Sequence, residues 1–217
     1  RFYPTIDGKP TVAYLWARTV TCKNCRATIP LLKTLWLCRK DKKRIRLKMN
    51  PNSDRSGVDF EVVEEPVIGG NAAQRRAHDQ QIGRGTMSRS GVWCPVCGTF
   101  GTVAMTRNDI RADVIMQHTQ NSPCVQMTAV VVDGANGKEY RKPEPEEINV
   151  VKEAASHIED VFKKVPFGLP QEKIHIDAKG STWCIQYGLD TFNKLFTARQ
   201  LMALGTFVNY IRLVRAQ

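Results

Sequence analysis

Val20-Thr-Cys22-Lys-Asn-Cys25 and Trp93-Cys94-Pro-Val-Cys97-Gly98 are the stretches whose reading decides the fold. Each pair, Cys-x-x-Cys, is a short turn able to present two thiolates to one ion. Together they supply four sulfurs, the full tetrahedral shell of a structural Zn²⁺. Val20 and Trp93 bring an extended apolar approach to each pair, and Gly98 supplies the permissive backbone that a tight knuckle needs. The pattern predicts a split zinc ribbon built on Cys22, Cys25, Cys94 and Cys97.

The spacing is wide. Between Cys25 and Cys94 lie 68 residues, where a compact two-pair site has roughly 15 to 20. A large insertion must therefore loop out between the knuckles. Two unrelated turns, or a redox dithiol, are the alternatives. A redox motif should follow a strand and open a helix, and neither pair leads into a clear amphipathic helix. Cys38, Cys124 and Cys184 sit among apolar or mixed neighbours and read as small buried hydrophobes. His78, His118, His157 and His175 have no partner at ligand spacing and read as ordinary histidines. An odd total of seven cysteines, two pairs of metal type among them, points to a reducing cytoplasm.

Outside the knuckles, charge is the strongest signal. The net charge is +11, yet residues 1–50 carry 13 Lys and Arg against two Asp, while the remaining 167 residues carry 19 of each sign. Between Arg39 and Lys48, seven residues in ten are basic: Arg39, Lys40, Lys42, Lys43, Arg44, Arg46 and Lys48. Such a run is either a phosphate-binding surface or a solvated hairpin tip. An apolar content of 42% with 8% aromatic residues is ample for a packed core. No run approaches the roughly 18 apolar residues of a membrane span, and the first residues lack a signal-peptide layout. The chain opens on Arg1 and closes with a helical pattern still running, as expected of a piece of a longer protein.

Periodicity assigns the rest. Residues 11–20, rich in β-branched and aromatic side chains, predict a strand entering the first knuckle. Residues 31–37 and 44–49 predict a hairpin with 39–43 as its tip. In its second strand Ile45, Leu47 and Met49 alternate with Arg44, Arg46 and Lys48, giving one apolar face and one wholly cationic face. Residues 58–63 extend that sheet. Residues 66–91 are rich in Gly and Arg, with few large apolar side chains, and read as a long surface excursion, in which Arg75, Arg76, Arg84 and Arg89 are spaced to grip a nucleic-acid backbone or simply to move. A short helix is expected over 109–117, and a strand pair over 125–132 and 139–141. From Glu146, a stripe of Ile148, Val151, Ala155, Ile158 and Phe162 predicts one helix with His157 at its boundary. Thr197-Ala-Arg-Gln200 is a capping box, and Leu201, Leu204, Val208 and Ile211 follow at helical spacing. The fold class is therefore α+β. A zinc-ribbon β-rich region spans 1–142, and a region of amphipathic helices spans 143–217.

The chain holds no phosphate-cradling glycine fingerprint, no nucleophile with a credible His partner and no acidic pair in a recognisable frame. By itself it is expected to catalyse nothing. Three blocks resemble one family: Tyr14 to Cys25 running on to Leu37, then Trp93-Cys94-Pro-Val-Cys97-Gly98, then Tyr187-Gly-Leu-Asp-Thr-Phe-Asn-Lys-Leu-Phe-Thr-Ala-Arg-Gln-Leu-Met-Ala-Leu204. That family is the bacterial and archaeal adenine-specific DNA methylases that contain a zinc ribbon. The resemblance implies that the four knuckle cysteines are metal positions. It also implies that a parent protein carries its S-adenosylmethionine segment upstream, and its Asp-Pro-Pro-Tyr segment downstream, of a region like this one.

The expected function is a zinc-binding insertion that helps an N6-adenine DNA methyltransferase hold double-stranded DNA. The cationic residues would supply the contact, and the methylase core of the same polypeptide would be the partner. The alternative is a structural or docking module that braces that core or a partner in a restriction-modification or phage-defence system. RNA contact is a third option.

Overall fold

The computed structural model describes residues 3–40, 42–102, 104–111, 125–176 and 181–215. Cys124, His118 and the end of the helix expected over 109–117 lie outside the described residues. The chain is α+β with antiparallel sheets and divides into two compact units, residues 5–111 with 125–143, and residues 3–4 with 144–215.

In the first unit, β1 (Thr11–Thr21) pairs with β2 (Thr28–Leu31), and β3 (Trp36–Lys40), β4 (Lys43–Pro51) and β5 (Val58–Glu64) form a second antiparallel sheet. The expected alternation holds in β4: Ile45 and Leu47 are buried and Lys48 is exposed. Helix α1 (Ala72–Ile82) follows, then the hairpin of β6 (Gly91–Trp93) and β7 (Phe100–Thr102), and α2 over residues 104–111. β8 (Val125–Gly134) pairs with β1 on one side and β9 (Gly137–Arg141) on the other, which gives the sheet order β2-β1-β8-β9. Met127 to Val132 are all buried. A buried run of this kind, apolar but for Thr128, whose hydroxyl donates to the Leu15 carbonyl at 3.2 Å, marks a strand covered on both faces.

The Gly/Arg stretch is where the structure departs most from the expected surface excursion. Its middle is α1, opened by a capping box in which the Asn71 side chain accepts from the Gln74 N–H and Gln74 returns the bond. The following segment is stitched to the chain just before β3. Leu35 donates to the Gly83 carbonyl at 2.9 Å, Met87 donates to the Leu32 carbonyl at 2.9 Å, and the fully buried Thr86 hydroxyl bonds Pro30. These bonds draw the two knuckle-bearing hairpins together.

In the second unit the single helix expected from residue 146 is two: α3 (Pro145–Ser156) and α4 (Ile158–Phe162), broken at His157. The His157 ring nitrogen lies 3.0 Å from the Glu153 carbonyl and 3.2 Å from the Ser156 hydroxyl, a local bond that competes with continuing the helix. The buried faces are those of Glu147, Ala154 and Phe162. α5 (Ser181–Gln186) and a short 3₁₀ turn (Phe192–Leu195) lead to α6 (Ala198–Arg215). The Thr197–Gln200 capping box forms as expected. α6 packs on α4 at Gly205, where an added Cβ would lie 2.7 Å from Val161 Cγ1. Beyond that point its apolar residues are exposed, Phe207 at 66% and Ile211 at 65%, and Leu204 just before it is exposed as well. No helix among the described residues is long and apolar enough to cross a membrane.

Candidate metal centre and basic surface

The six residues Cys22–Ala27 connect β1 to β2, and the six residues Cys94–Thr99 connect β6 to β7. The two turns share one backbone. In each, the first residue donates to the sixth carbonyl: Cys22 to Ala27 at 2.8 Å and Cys94 to Thr99 at 2.8 Å. The fifth donates back to the first, Arg26 to Cys22 at 3.0 Å and Gly98 to Cys94 at 2.8 Å. Closing the turn this way needs a left-handed fifth residue, and Arg26 (φ 64°) and Gly98 (φ 75°) both adopt it. An L residue in that region costs roughly 1–2 kcal/mol. The second knuckle avoids the cost with glycine; the first carries it on Arg26.

The turns face each other. The Sγ atoms of Cys22, Cys25, Cys94 and Cys97 all lie within 4.8 Å of one another. Cys22 to Cys97 and Cys25 to Cys94 are both 3.7 Å apart. A tetrahedron with sulfur about 2.3 Å from a central Zn²⁺ has edges of about 3.8 Å, whereas a disulfide needs about 2.05 Å. The four thiols are thus spaced to hold a metal ion. Cys22 and Cys94 are buried and their partners half-buried.

The protonation of the set is uneven. The side-chain bond between Cys97 and the Thr99 hydroxyl, 3.3 Å apart, then bonding to the Thr99 backbone and to the Asn24 side chain, lowers Cys97 to about 5. Burial pushes Cys94 up to about 12. The set thus favours a thiolate at Cys97, while Cys94 must lose its proton to bind.

Two ties fix the centre to its surroundings, and neither was foreseeable from local pattern. Arg55, in the β4–β5 turn, donates to the Val96 carbonyl inside the second knuckle at 2.8 Å. Lys23 of the first knuckle pairs with Asp109 of α2 at 2.5 Å. A hollow of about 60 Å³ beside the first knuckle, lined in part by Val20, Ile29, Val92 and Met105, is far below the roughly 300 Å³ of small-molecule sites.

Cys38 and Cys184 are not among the clustered thiols, and both are half-buried where burial was expected. His78 lies 3.8 Å from Asp79 of its own helix.

The basic residues of β3 and β4 divide into two groups. Arg44 is ion-paired with Asp79 of α1, with side chains 12% exposed on each side, and its guanidinium lies 4.9 Å over the Trp36 ring. Arg46 pairs with Glu65 at 2.6 Å, Lys48 with Glu61 at 3.5 Å, and Lys43 donates to the Lys138 carbonyl at 2.5 Å. The hydrogen bond from Arg44 first, and then the charges of Arg44 and Arg39, hold the Asp79 carboxyl below its ordinary range. The face expected to be wholly cationic is therefore compensated by carboxylates that α1, β5 and Glu65 bring to it. Arg39, Lys40 and Lys42 remain exposed, with no ion-pair partner among the described residues.

No protein-family model, curated protein or solved structure matches the chain.

Proposed function

We propose that the chain is a zinc-ribbon module in which Cys22, Cys25, Cys94 and Cys97 bind one structural Zn²⁺, and that the module serves an adenine-specific DNA methyltransferase as an insertion contacting duplex DNA. The observation that carries the metal reading is the pair of matching turns with sulfur edges of 3.7 Å. Four thiolates with no open position make a closed site, the arrangement of a structural ion and not a catalytic one. The wide insertion between the knuckles makes the ribbon split. DNA contact is supported by the exposed Arg39, Lys40 and Lys42 of the β3–β4 hairpin, and the methylase assignment by the resemblance alone.

The test is elemental analysis of the purified chain together with duplex binding across a salt series. One zinc per chain, and binding that weakens steeply with salt, are expected. Absence of stoichiometric zinc overturns the ribbon, and absence of binding at low salt overturns the DNA role.

One observation favours a second reading, a docking module. Leu204, Phe207, Val208, Tyr210, Ile211, Leu213 and Val214 are all 40% or more exposed, a run of large apolar side chains that marks interaction surfaces. If the chain binds no DNA, and alanine at Phe207 and Ile211 abolishes association with a methylase core, this reading replaces the first.

A further inference from the structure

α1 forms without any apolar face to bury: none of its 11 residues is buried. A helix this short is marginal in water; its capping box, the bond from Leu35 to the Gly83 carbonyl at its C-cap and an anchor inside it hold it in place. The anchor is Asp79, whose carboxylate pairs with Arg44 of β4 and whose carbonyl accepts from the Trp36 indole N–H at 3.0 Å. Arg75 and Arg76 precede Asp79 by four and three residues, so they stand one turn away along the same side of the helix. Arg39 is the direct cross-strand partner of Arg44, which places it beside the anchor from the other direction. Arg39, Arg75 and Arg76 are exposed, and none has an ion-pair partner among the described residues. Asp79 is offset first by Arg44 and then, at longer range, by Arg39, so the cluster stays positive through Arg39, Arg75 and Arg76, continued by Lys42 in the turn.

We infer that α1 and the β3–β4 turn form one phosphate-binding strip for duplex DNA, in which Arg39, Lys42, Arg75 and Arg76 touch the backbone while Arg44 and Arg46 hold the frame. This rests on the DNA-contact reading above and moves the contact from the strand face to the helix. It also gives a helix that buries nothing a reason to be pinned in place. Duplex is favoured over single strand because single-strand binders stack bases on open aromatic rings. The aromatic at this strip, Trp36, is instead covered by Arg44.

The experiment measures binding of the full zinc-loaded chain to a mixed-sequence DNA duplex over a salt series. Arg75→Ala with Arg76→Ala should lower the slope of log affinity against log salt by nearly two, about 0.9 per lost phosphate contact. Alanine favours helix, so zinc content and circular dichroism should be unchanged. Arg75→Lys with Arg76→Lys should restore most of the slope, and Lys48→Ala, which removes an exposed paired cation, should leave it as in the parent. An unchanged slope in the alanine pair, an equal loss in Lys48→Ala, or tighter binding to single strands or RNA would overturn the inference while leaving nucleic-acid binding intact. A parent chain that binds no duplex at low salt removes the DNA-contact reading itself, and this inference with it.

Discussion

Removal of the metal by a strong chelator is the sharpest perturbation of this fold, and its size follows from what else holds the knuckles together. If the ion alone joined Cys25 to Cys94, it would close a loop of 68 residues, worth between about 3 and 5 kcal/mol as a cross-link of the unfolded chain. The folded chain already closes most of that loop. Thr86 bonds Pro30, and Met87 donates to Leu32, which leaves only the two short arms from there to the knuckles. Together these amount to about 15 residues, so the cross-link contribution is nearer 3 kcal/mol, added to whatever the sulfur–metal bonds contribute directly. The loss should also be local. β6 and β7 have three residues each, too few for an independent hairpin. Urea unfolding with and without chelator, read beside amide hydrogen exchange, checks both points. The expected result is a stability loss of about 3 kcal/mol or more, with exchange opening first at Gly91–Trp93 and Phe100–Thr102. A chelated chain with the same midpoint and protected β6–β7 amides would refute the reasoning.

Metal affinity should rise with pH, because every ligand binds as a thiolate and Cys94, pushed up to about 12, must release its proton. Below about pH 5 Cys97 protonates as well, so the dependence should steepen by one proton there; competition with a chromophoric chelator from pH 4 to 8 measures this, and a flat profile contradicts it. Gly98→Ala should cost about 1–2 kcal/mol by backbone strain alone, since a Cβ there meets nothing within 4 Å. Arg26→Gly should be neutral or stabilising by up to about 1 kcal/mol, and paired denaturation curves compare the two knuckles. Arg44→Ala should destabilise by about 1–3 kcal/mol through the unpaired Asp79 carboxylate, with a lower thermal midpoint and no change in zinc content.

The sequence by itself determined what depends on neighbours a few residues apart. The Cys-x-x-Cys turns need only six residues to form, so the candidate metal ligands and the role of Gly98 were legible, although Arg26, which adopts the same left-handed conformation without being glycine, was not. The alternation of β4 and the capping box at Thr197 are local for the same reason. Only the tertiary structure decided what residues far apart do to one another. Asp79 neutralises Arg44 from 35 positions away, so a run of basic residues that looks like one cationic face is partly framework. The pairing of β1 with β8, the seating of Gly83 to Met87 beside Leu32 to Leu35, and the exposure of α6 beyond Gly205 arise in the same way. Periodicity states which side of an element is apolar, but not which partner covers it or where that cover ends. The free energy of such contacts belongs to surfaces assembled in three dimensions, and no window along the chain contains them.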